Sequence, residues 1–349
     1  MQTVYVGLSG GVDSSVTAAL LNQRSYRVVG VFMKNWTKPV GGVDCPWQQD
    51  LTDARAVAAH LDIPFKVFDF EKQYQNLVVD YMIDGYKSGL TPNPDIMCNQ
   101  EIKFKLFLET ALADGADLIA TGHYARVKNG QLLKAVDETK DQTYFLYRVT
   151  KGALKKTLMP IGELRKTEVR KLAKEFGLPT AEKPDSQGIC FIGEVSIKDF
   201  LGEHIKPHNG PIKLGDETIG EHDGAEFYTI GQRHGLRVGL GKPLYVIGKD
   251  IKANTVFVTG KPQDLELFTD EFEVENIHWI DEEPVEDKKY QVHTRYRDEI
   301  KDCTIKDGVI KMSRTERAVT PGQSAVIYDG EKVLGGGIIT AKAVAKVKS

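Results

Sequence analysis

No apolar run in this 349-residue chain approaches the ~20 residues of a membrane helix. No leader segment is expected either, because a strand-like run at residues 4–8 follows Met1 almost directly; the expectation is a cytoplasmic protein without a membrane partner. Cysteine is scarce. Cys45, Cys98, Cys190 and Cys303 are too few and too scattered for a disulfide scaffold, and none forms a Cys-x-x-Cys pair, which argues against a structural zinc site. No set of metal-ligating residues stands out. Net charge is only −3, so no global field draws the chain to a polyanion, and nucleic acid would have to find a local basic face. Repeats and low-complexity tracts are missing apart from a lysine-rich tail. What remains is ordinary: 41% hydrophobic and 27% charged residues, enough for a packed core and for two or three domains of ~100–200 residues each.

Against that background one stretch stands out. Gly7-Leu8-Ser9-Gly10-Gly11-Val12-Asp13-Ser14 follows the apolar run, and Val16, Ala19 and Leu20 then recur at helical spacing. Strand, glycine turn and helix N-terminus together make an anion cradle: backbone N–H groups face outward, the helix dipole favours negative charge, and no Cβ blocks approach. Ser9 and Ser14 add hydroxyls, and Asp13 can cap the helix or orient a metal ion. The Gly-x-x-x-x-Gly-Lys loop is excluded because there is no lysine, and the dinucleotide fingerprint because the third glycine is missing. Ser-Gly-Gly-Val-Asp-Ser resembles the loop of the ATP pyrophosphatases, which implies ATP binding and cleavage between the α- and β-phosphates.

The first half alternates strand and helix: strands over 27–33, 65–70 and 117–121, an amphipathic helix over 74–82. The fold class expected is α/β, a parallel sheet with helices on both faces, with ligands at the carboxyl ends of its strands. The glycine turn, Met33 and Gly122 then fall just past three strand ends. Gly122 sits in Thr121-Gly122-His123-Tyr124-Ala125. In Thr91-Pro92-Asn93-Pro94-Asp95-Ile96-Met97-Cys98-Asn99 two prolines impose an extended form, so Cys98 is expected just before or at a helix N-terminus. There the dipole would stabilise a thiolate, and Asp95 stands close enough to carry a proton. Burial is the usual fate of a cysteine, but a polar, proline-rigid loop favours reactivity. Asn129-Gly130 signals a hairpin, and Lys140-Asp141-Gln142 begins an apolar helix. Gly188-Ile189-Cys190-Phe191-Ile192-Gly193 puts a third cysteine between two glycines, read either as a mobile loop or as a short core strand.

After Gly202 the composition shifts to glycine and short β-branched runs, with strands expected over 226–230, 244–247 and 256–258; Gly231-Gln232-Arg233-His234 is a polar, basic loop. From Phe272 onward strands recur every ten residues or so, with Asp307-Gly308 and Asp329-Gly330 as hairpin turns. This predicts a small β-barrel. Arg295-Tyr296-Arg297 offers guanidinium and aromatic groups side by side, suited to phosphate contact and base stacking, or else a solvated strand face. The division expected is 1–202 catalytic, 203–265 central and β-rich, and 266–349 barrel.

Taken in order, these motifs resemble the bacterial tRNA-specific 2-thiouridylases over essentially the whole chain. The resemblance implies an adenine-nucleotide α-hydrolase-like domain, and sulfur transfer to C2 of the wobble uridine (U34) of tRNA. ATP with Mg²⁺ would bind at Gly7, Leu8, Ser9, Gly10, Gly11, Val12, Asp13, Ser14, Met33 and Gly122, and adenylate the C2 oxygen. A persulfide on Cys190, loaded by an upstream sulfur-donor protein, would deliver the sulfur. Cys98 would attack that persulfide and end disulfide-bonded to Cys190, which supplies the two electrons an oxidised sulfur needs. Asp95 matches the family's proton carrier. Asn93, Pro94, Asp95, Lys140, Asp141, Gln142, Arg295 and Tyr296 match its contacts with target base and tRNA. Residues 41–49 depart from the pattern, and Cys45 within them is expected to pack. Two other readings stay open: a synthetase adenylating a small molecule, and a non-catalytic RNA-binding protein.

Overall fold

The strands at the centre of the first unit are apolar at almost every position, the pattern of a sheet covered on both faces. The computed structural model describes residues 1–40, 42, 45–185, 196–236, 238–239 and 241–341. Here β1 (Gln2–Gly7) lies between β2 (Tyr26–Lys34) and β4 (Leu118–Ala120), with β3 (Phe65–Asp69) and β7 (Thr157–Leu158) at the edges; all pairings are parallel, in the order β3-β2-β1-β4-β7. Alternate residues serve opposite cores. Val4, Val6, Val28 and Phe32 face α1 (Val12–Asn22) and α2 (Trp47–His60), whereas Tyr5, Val29, Val31 and Met33 face the other layer.

That other layer holds two long helical runs. The first comprises α3 (Glu71–Tyr74), a π-helical stretch Gln75–Val79 and α4 (Asp80–Lys87). The second comprises α5 (Pro94–Met97), a π-helical stretch Cys98–Leu106 and α6 (Phe107–Ala113). Widened turns bring residues five apart onto one face, so Ile102 and Phe107 are both fully buried; π-helical turns concentrate at functional sites.

The remaining helices are α7 (Lys151–Lys155), α8 (Lys166–Glu175) and α9 (Ile197–Gly202). In the central unit β8 (Gly210–Leu214), β9 (Glu217–His222), β10 (Tyr245–Asp250) and β11 (Thr255–Thr259) form a sheet in the order β10-β11-β8-β9. The strand expected over 226–230 is not formed. Residues 225–227 make a single 3₁₀ turn, with Lys249 donating to the Tyr228 carbonyl at 2.7 Å. The helix expected after Gln142 is likewise only a 3₁₀ turn, Thr143–Phe145.

The last unit is a six-stranded antiparallel barrel of β12 (Phe268–Trp279), β13 (Tyr290–His293), β14 (Lys301–Lys306), β15 (Val309–Arg317), β16 (Ser324–Asp329) and β17 (Lys332–Ile339), closed by the pairing of β12 with β17. The hairpin β5 (Arg126–Lys128) and β6 (Gln131–Leu133), turning at Asn129-Gly130, comes from the first unit but joins this sheet. Leu133 pairs with Lys332, Lys134 N donates to the Glu331 carbonyl at 2.9 Å, and Arg126 meets Glu331 at 3.0 Å. Barrel residues Val326, Tyr328 and Val333 also belong to the main core with Cys98 and Phe107.

Thr91 is where all three units meet. Its N–H donates to the Pro321 carbonyl at 2.9 Å, its carbonyl accepts from Gln323 Nε2 at 2.7 Å, and its hydroxyl lies 3.3 Å from that of Thr229. Gly322 (φ +91°) passes so close that a Cβ there would sit 2.6 Å from Thr91 N.

Candidate active site

The glycine turn lies at the carboxyl edge of the sheet, after its central strand. Gly10 has φ +75°, and a Cβ there would come within 2.5 Å of the Asp50 carbonyl oxygen, so only glycine fits. Gly11 caps α1 without a side-chain hydrogen bond, which leaves the first N–H groups of the helix directed at the turn. Serine hydroxyls brace the turn from behind. Ser14 Oγ accepts from Ser9 N at 3.2 Å and donates to the Gly11 carbonyl at 3.1 Å, and Ser15 Oγ donates to that carbonyl at 2.7 Å.

Asp13 neither caps the helix nor stands alone. Lys166, the first residue of α8, reaches its carboxylate oxygens at 2.8 and 2.9 Å, and the Tyr124 hydroxyl donates to it at 2.8 Å. Burial and the Asp13 charge push the Tyr124 phenol far above its ordinary range, so it stays a donor. A lysine distant in sequence is thus held at the turn by its ion pair with Asp13. Lys166 also meets Asp185 at 2.8 Å, where Lys140 (2.9 Å) and Arg170 (2.6 Å) converge. Burial opposes ionisation of Asp185, but hydrogen bonds from Lys166 and Lys140 win and hold its carboxyl well below the usual range.

Gly122 packs on the start of α1, where a Cβ would lie 2.7 Å from Ser14 N. Its neighbour His123 is buried, with Nδ1 2.9 Å from Thr121 Oγ1; burial, aided by Lys103, keeps the ring neutral. Met33 corrects an expectation, since it lies inside β2 rather than past its end. It is buried, and its methyl would sit 3.0 Å from a Cβ on Gly7. Two residues on, Asn35 is 2% exposed, and neither amide atom has a hydrogen-bond partner among the described residues.

Cys98 brings a second correction. Asn93 Oδ1 accepts from Asp95 N (3.0 Å) and Ile96 N (3.3 Å), and Pro94 occupies the first helical position, so the helix begins four residues earlier than the cysteine. Cys98 is therefore inside the helix and fully buried in the main core, not in a polar loop. Asp95 and Asn99 bracket it about one turn apart. The helix also touches the nucleotide side: Phe107 would lie 3.7 Å from a Cβ on Gly7, and the Phe104 ring is 5.5 Å from that of His123.

The segment 140–142 turns inward. Asp141 accepts from Ala135 N at 2.6 Å and Thr143 N at 3.1 Å; burial raises its pKa despite these bonds. Gln142 Oε1 accepts from Tyr124 N at 2.9 Å, and Gln142 N donates to the Tyr124 carbonyl at 2.9 Å. In the barrel the Arg295-Tyr296 segment follows the end of β13. Tyr296 lies against Phe145 at a ring distance of 4.3 Å, Arg297 covers Tyr296 at 5.2 Å, and Arg295 is exposed. The Phe145 carbonyl accepts from Asn99 Nδ2 at 3.2 Å, so Tyr296, Phe145 and the Cys98 helix form one chain of contacts. Cys190 and its flanking glycines lie outside the described residues. None of the described cysteines forms a disulfide, and Cys45 is half-buried with its sulfur 3.6 Å from the Trp36 carbonyl.

Comparison with known proteins decides the family. Three family models cover the chain in succession: a tRNA methyl transferase HUP domain at residues 2–194, a tRNA methyl transferase PRC-barrel domain at 198–260, and an aminomethyltransferase β-barrel domain at 269–339. A tRNA-specific 2-thiouridylase of Methylobacillus flagellatus is 47% identical over 97% of this chain and 98% of its own length. The chain belongs to the tRNA-specific 2-thiouridylase family. Proteins of the same name from Bacillus cytotoxicus (46% identical, 96% of this chain, 94% of that one) and Ralstonia pickettii (46%, 99% and 98%) agree. Lys166 and Asn35 lie beside the turn and its neighbouring strand yet outside the motifs, whereas Tyr124 and Asn99 stand within two of them without a role read from the sequence. Lys166 begins a helix whose sequence looks like any charged surface helix, and only its distance to Asp13 sets it apart. Asn99 directly follows Cys98, and that adjacency is its one signal in the sequence.

Proposed function

We propose that this chain is a tRNA sulfurtransferase that activates C2 of the wobble uridine with ATP and replaces its oxygen by sulfur. The observation that carries the reading is the helix that begins at Asn93-Pro94: it holds Asp95 and Cys98 and packs its Phe107 onto Gly7 of an anion-ready glycine turn. ATP, as substrate, occupies Gly7, Leu8, Ser9, Gly10, Gly11, Val12, Asp13 and Ser14, with Met33 and Gly122 beside it. The turn fits phosphates because its two glycines put no side chain there and the uncapped first N–H groups of α1 face it. No group of three His, Cys, Asp or Glu side chains suited to a metal occurs among the described residues. Mg²⁺ needs no such cluster: it would come with the substrate phosphates, with Asp13 as the carboxylate of the turn that would meet it, and would supply charge neutralisation there.

The roles are these. Asn93 fixes the start of the helix and, with Pro94, abuts the target base. Asp95 moves the proton. Lys140, Asp141 and Gln142 shape the wall that joins Tyr124 to Asp185, while Arg295 and Tyr296 meet the tRNA. The C2 oxygen takes the AMP group and diphosphate leaves. Cys190 carries a persulfide from a donor protein, and Cys98 attacks its inner sulfur. Cys98 and Cys190 end as a disulfide, and the released sulfur adds to C2 as AMP departs with the oxygen. The two thiols supply the two electrons, and an external reductant resets them. We divide the chain into a catalytic unit 1–202, a central unit 203–265 and a tRNA-binding barrel 266–349, working in the cytoplasm. No helix among the described residues is long and apolar enough to cross a membrane.

The test is mass spectrometry of tRNA nucleosides after incubation with ATP, Mg²⁺ and a persulfide source. Exchange of one oxygen for sulfur at uridine is the expected result. Gain of a methyl group, or ATP–diphosphate exchange driven by a small metabolite without tRNA, would overturn it.

A further inference from the structure

Asn99 is a buried amide with half its hydrogen bonding unmet. The residue is 3% exposed. Its Nδ2 donates to the Phe145 carbonyl at 3.2 Å, which fixes which end of the amide is nitrogen and which is oxygen. Its Oδ1 is buried and has no partner among the described residues. A buried polar atom without a partner calls for an explanation, since most are paired. The amide cannot flip to offer a donor without losing the Phe145 bond, so this site presents an acceptor only. It lies next to Cys98, about one helical turn after Asp95, and its tether Phe145 packs at a tilt against Tyr296 of the barrel.

We infer that Asn99 Oδ1 reads the N3–H of the target uridine, and so is a specificity-determining residue for the base; this rests on the sulfurtransferase reading above. Uracil carries its one ring donor at N3, between the carbonyls at C2 and C4. An acceptor that holds N3–H sets C2 one bond away from the gripped atom, beside the helix that carries the thiol. Cytosine has a lone pair at N3, so acceptor would face acceptor. Such a site rejects the wrong base by leaving buried groups unpaired. Phe145, tethered to Asn99 through its carbonyl, and Tyr296 against it would give the unstacked base an aromatic neighbour.

The experiment uses the full chain and tRNA carrying uridine, 3-methyluridine or cytidine at the wobble position, with kcat/KM for sulfur insertion as the readout. The wild type is expected to lose roughly tenfold to a hundredfold or more on 3-methyluridine and cytidine. Asn99→Ala is expected to lose roughly tenfold to a hundredfold on uridine. In that variant the ratio of 3-methyluridine to uridine activity should rise, because the methyl no longer meets a carbonyl. ATP affinity should be unchanged. A variant that discriminates as strongly as the wild type overturns the assignment, as does a fall in Tm with no change in the ratio, the mark of an amide that only holds Phe145 and a water. Should Asn99→Ala fail to fold, the wild type decides: equal sulfur insertion into uridine and 3-methyluridine sinks the Asn99 assignment. No insertion into uridine at all sinks the sulfurtransferase reading instead.

Discussion

The glycine turn and the Cys98 helix are built in opposite ways. The turn is made from one contiguous stretch: strand, Gly10 in a left-handed conformation, Gly11 as cap, and two serines that hydrogen-bond back to Gly11. The helix starts from residues held in place by distant parts of the chain, Thr91 by Pro321 and Gln323, and Asn99 by Phe145. Nucleotide chemistry is thus local to the first unit, whereas base and sulfur chemistry depends on the barrel being docked. Binding ATP should be possible wherever the first sheet is intact; transferring sulfur should require all three units.

The sharpest break separates the two chemistries. Cys98→Ala and Cys190→Ala are each expected to abolish sulfur insertion while leaving ATP binding in place, measured by nucleoside mass spectrometry beside nucleotide-induced shifts in Tm. Substitutions at two glycines sharpen the contrast. Gly122→Ala would push a methyl against Ser14 N and shift the start of α1, raising the KM for ATP by roughly tenfold to a hundredfold. Gly322→Ala, at φ +91° and against Thr91 N, should cost ~1–3 kcal/mol of stability and lower kcat for sulfur insertion, with KM for ATP little changed. Denaturant unfolding and steady-state kinetics on both variants check this.

Lys166→Met removes the cation shared by Asp13 and Asp185. A roughly tenfold loss in kcat/KM for ATP is expected, from one charge-assisted contact, with Lys166→Arg recovering part of it. The smallest effect is a pH dependence on the barrel side. Burial, then the Lys134 charge, hold the His293 pKa down at about 4, and its ring packs between Tyr144 and Tyr328. The contribution is fully present above the ordinary histidine value near 6.5. It is lost as pH falls toward 4, because the unfolded chain takes the proton first. His293→Gln should flatten the fall in Tm across that window.

The same contrast governs what the sequence disclosed. The glycine turn was legible because its signals are adjacent in the chain. The parallel sheet and the barrel were legible from alternation and from the turns at Asp307-Gly308 and Asp329-Gly330. The strands β8 and β9 were not, since Lys213, Glu217 and Glu221 interrupt their apolar pattern. The residues 226–230 looked like a strand by composition, but a 3₁₀ turn with a buried Tyr228 took precedence. Cys98 is buried for a local reason: Asn93 followed by Pro94 is a helix start, which draws the cysteine into the core. Lys166 had no local sign, because its partner Asp13 lies 153 residues away; Asn99 stands beside Cys98 in the sequence, but the Phe145 carbonyl that holds it lies 46 residues on.

The hairpin β5 and β6 gives the molecule an order of assembly. It is encoded early and finds its pairing strand, β17, some two hundred residues later. During synthesis the first unit must therefore wait, with one edge of that hairpin bare, until the barrel has emerged. A fragment cut after the first unit would carry that edge uncovered, along with the apolar surface that Val326, Tyr328 and Val333 normally seal. Such a fragment should associate with itself, which would make the catalytic unit hard to isolate as a working piece.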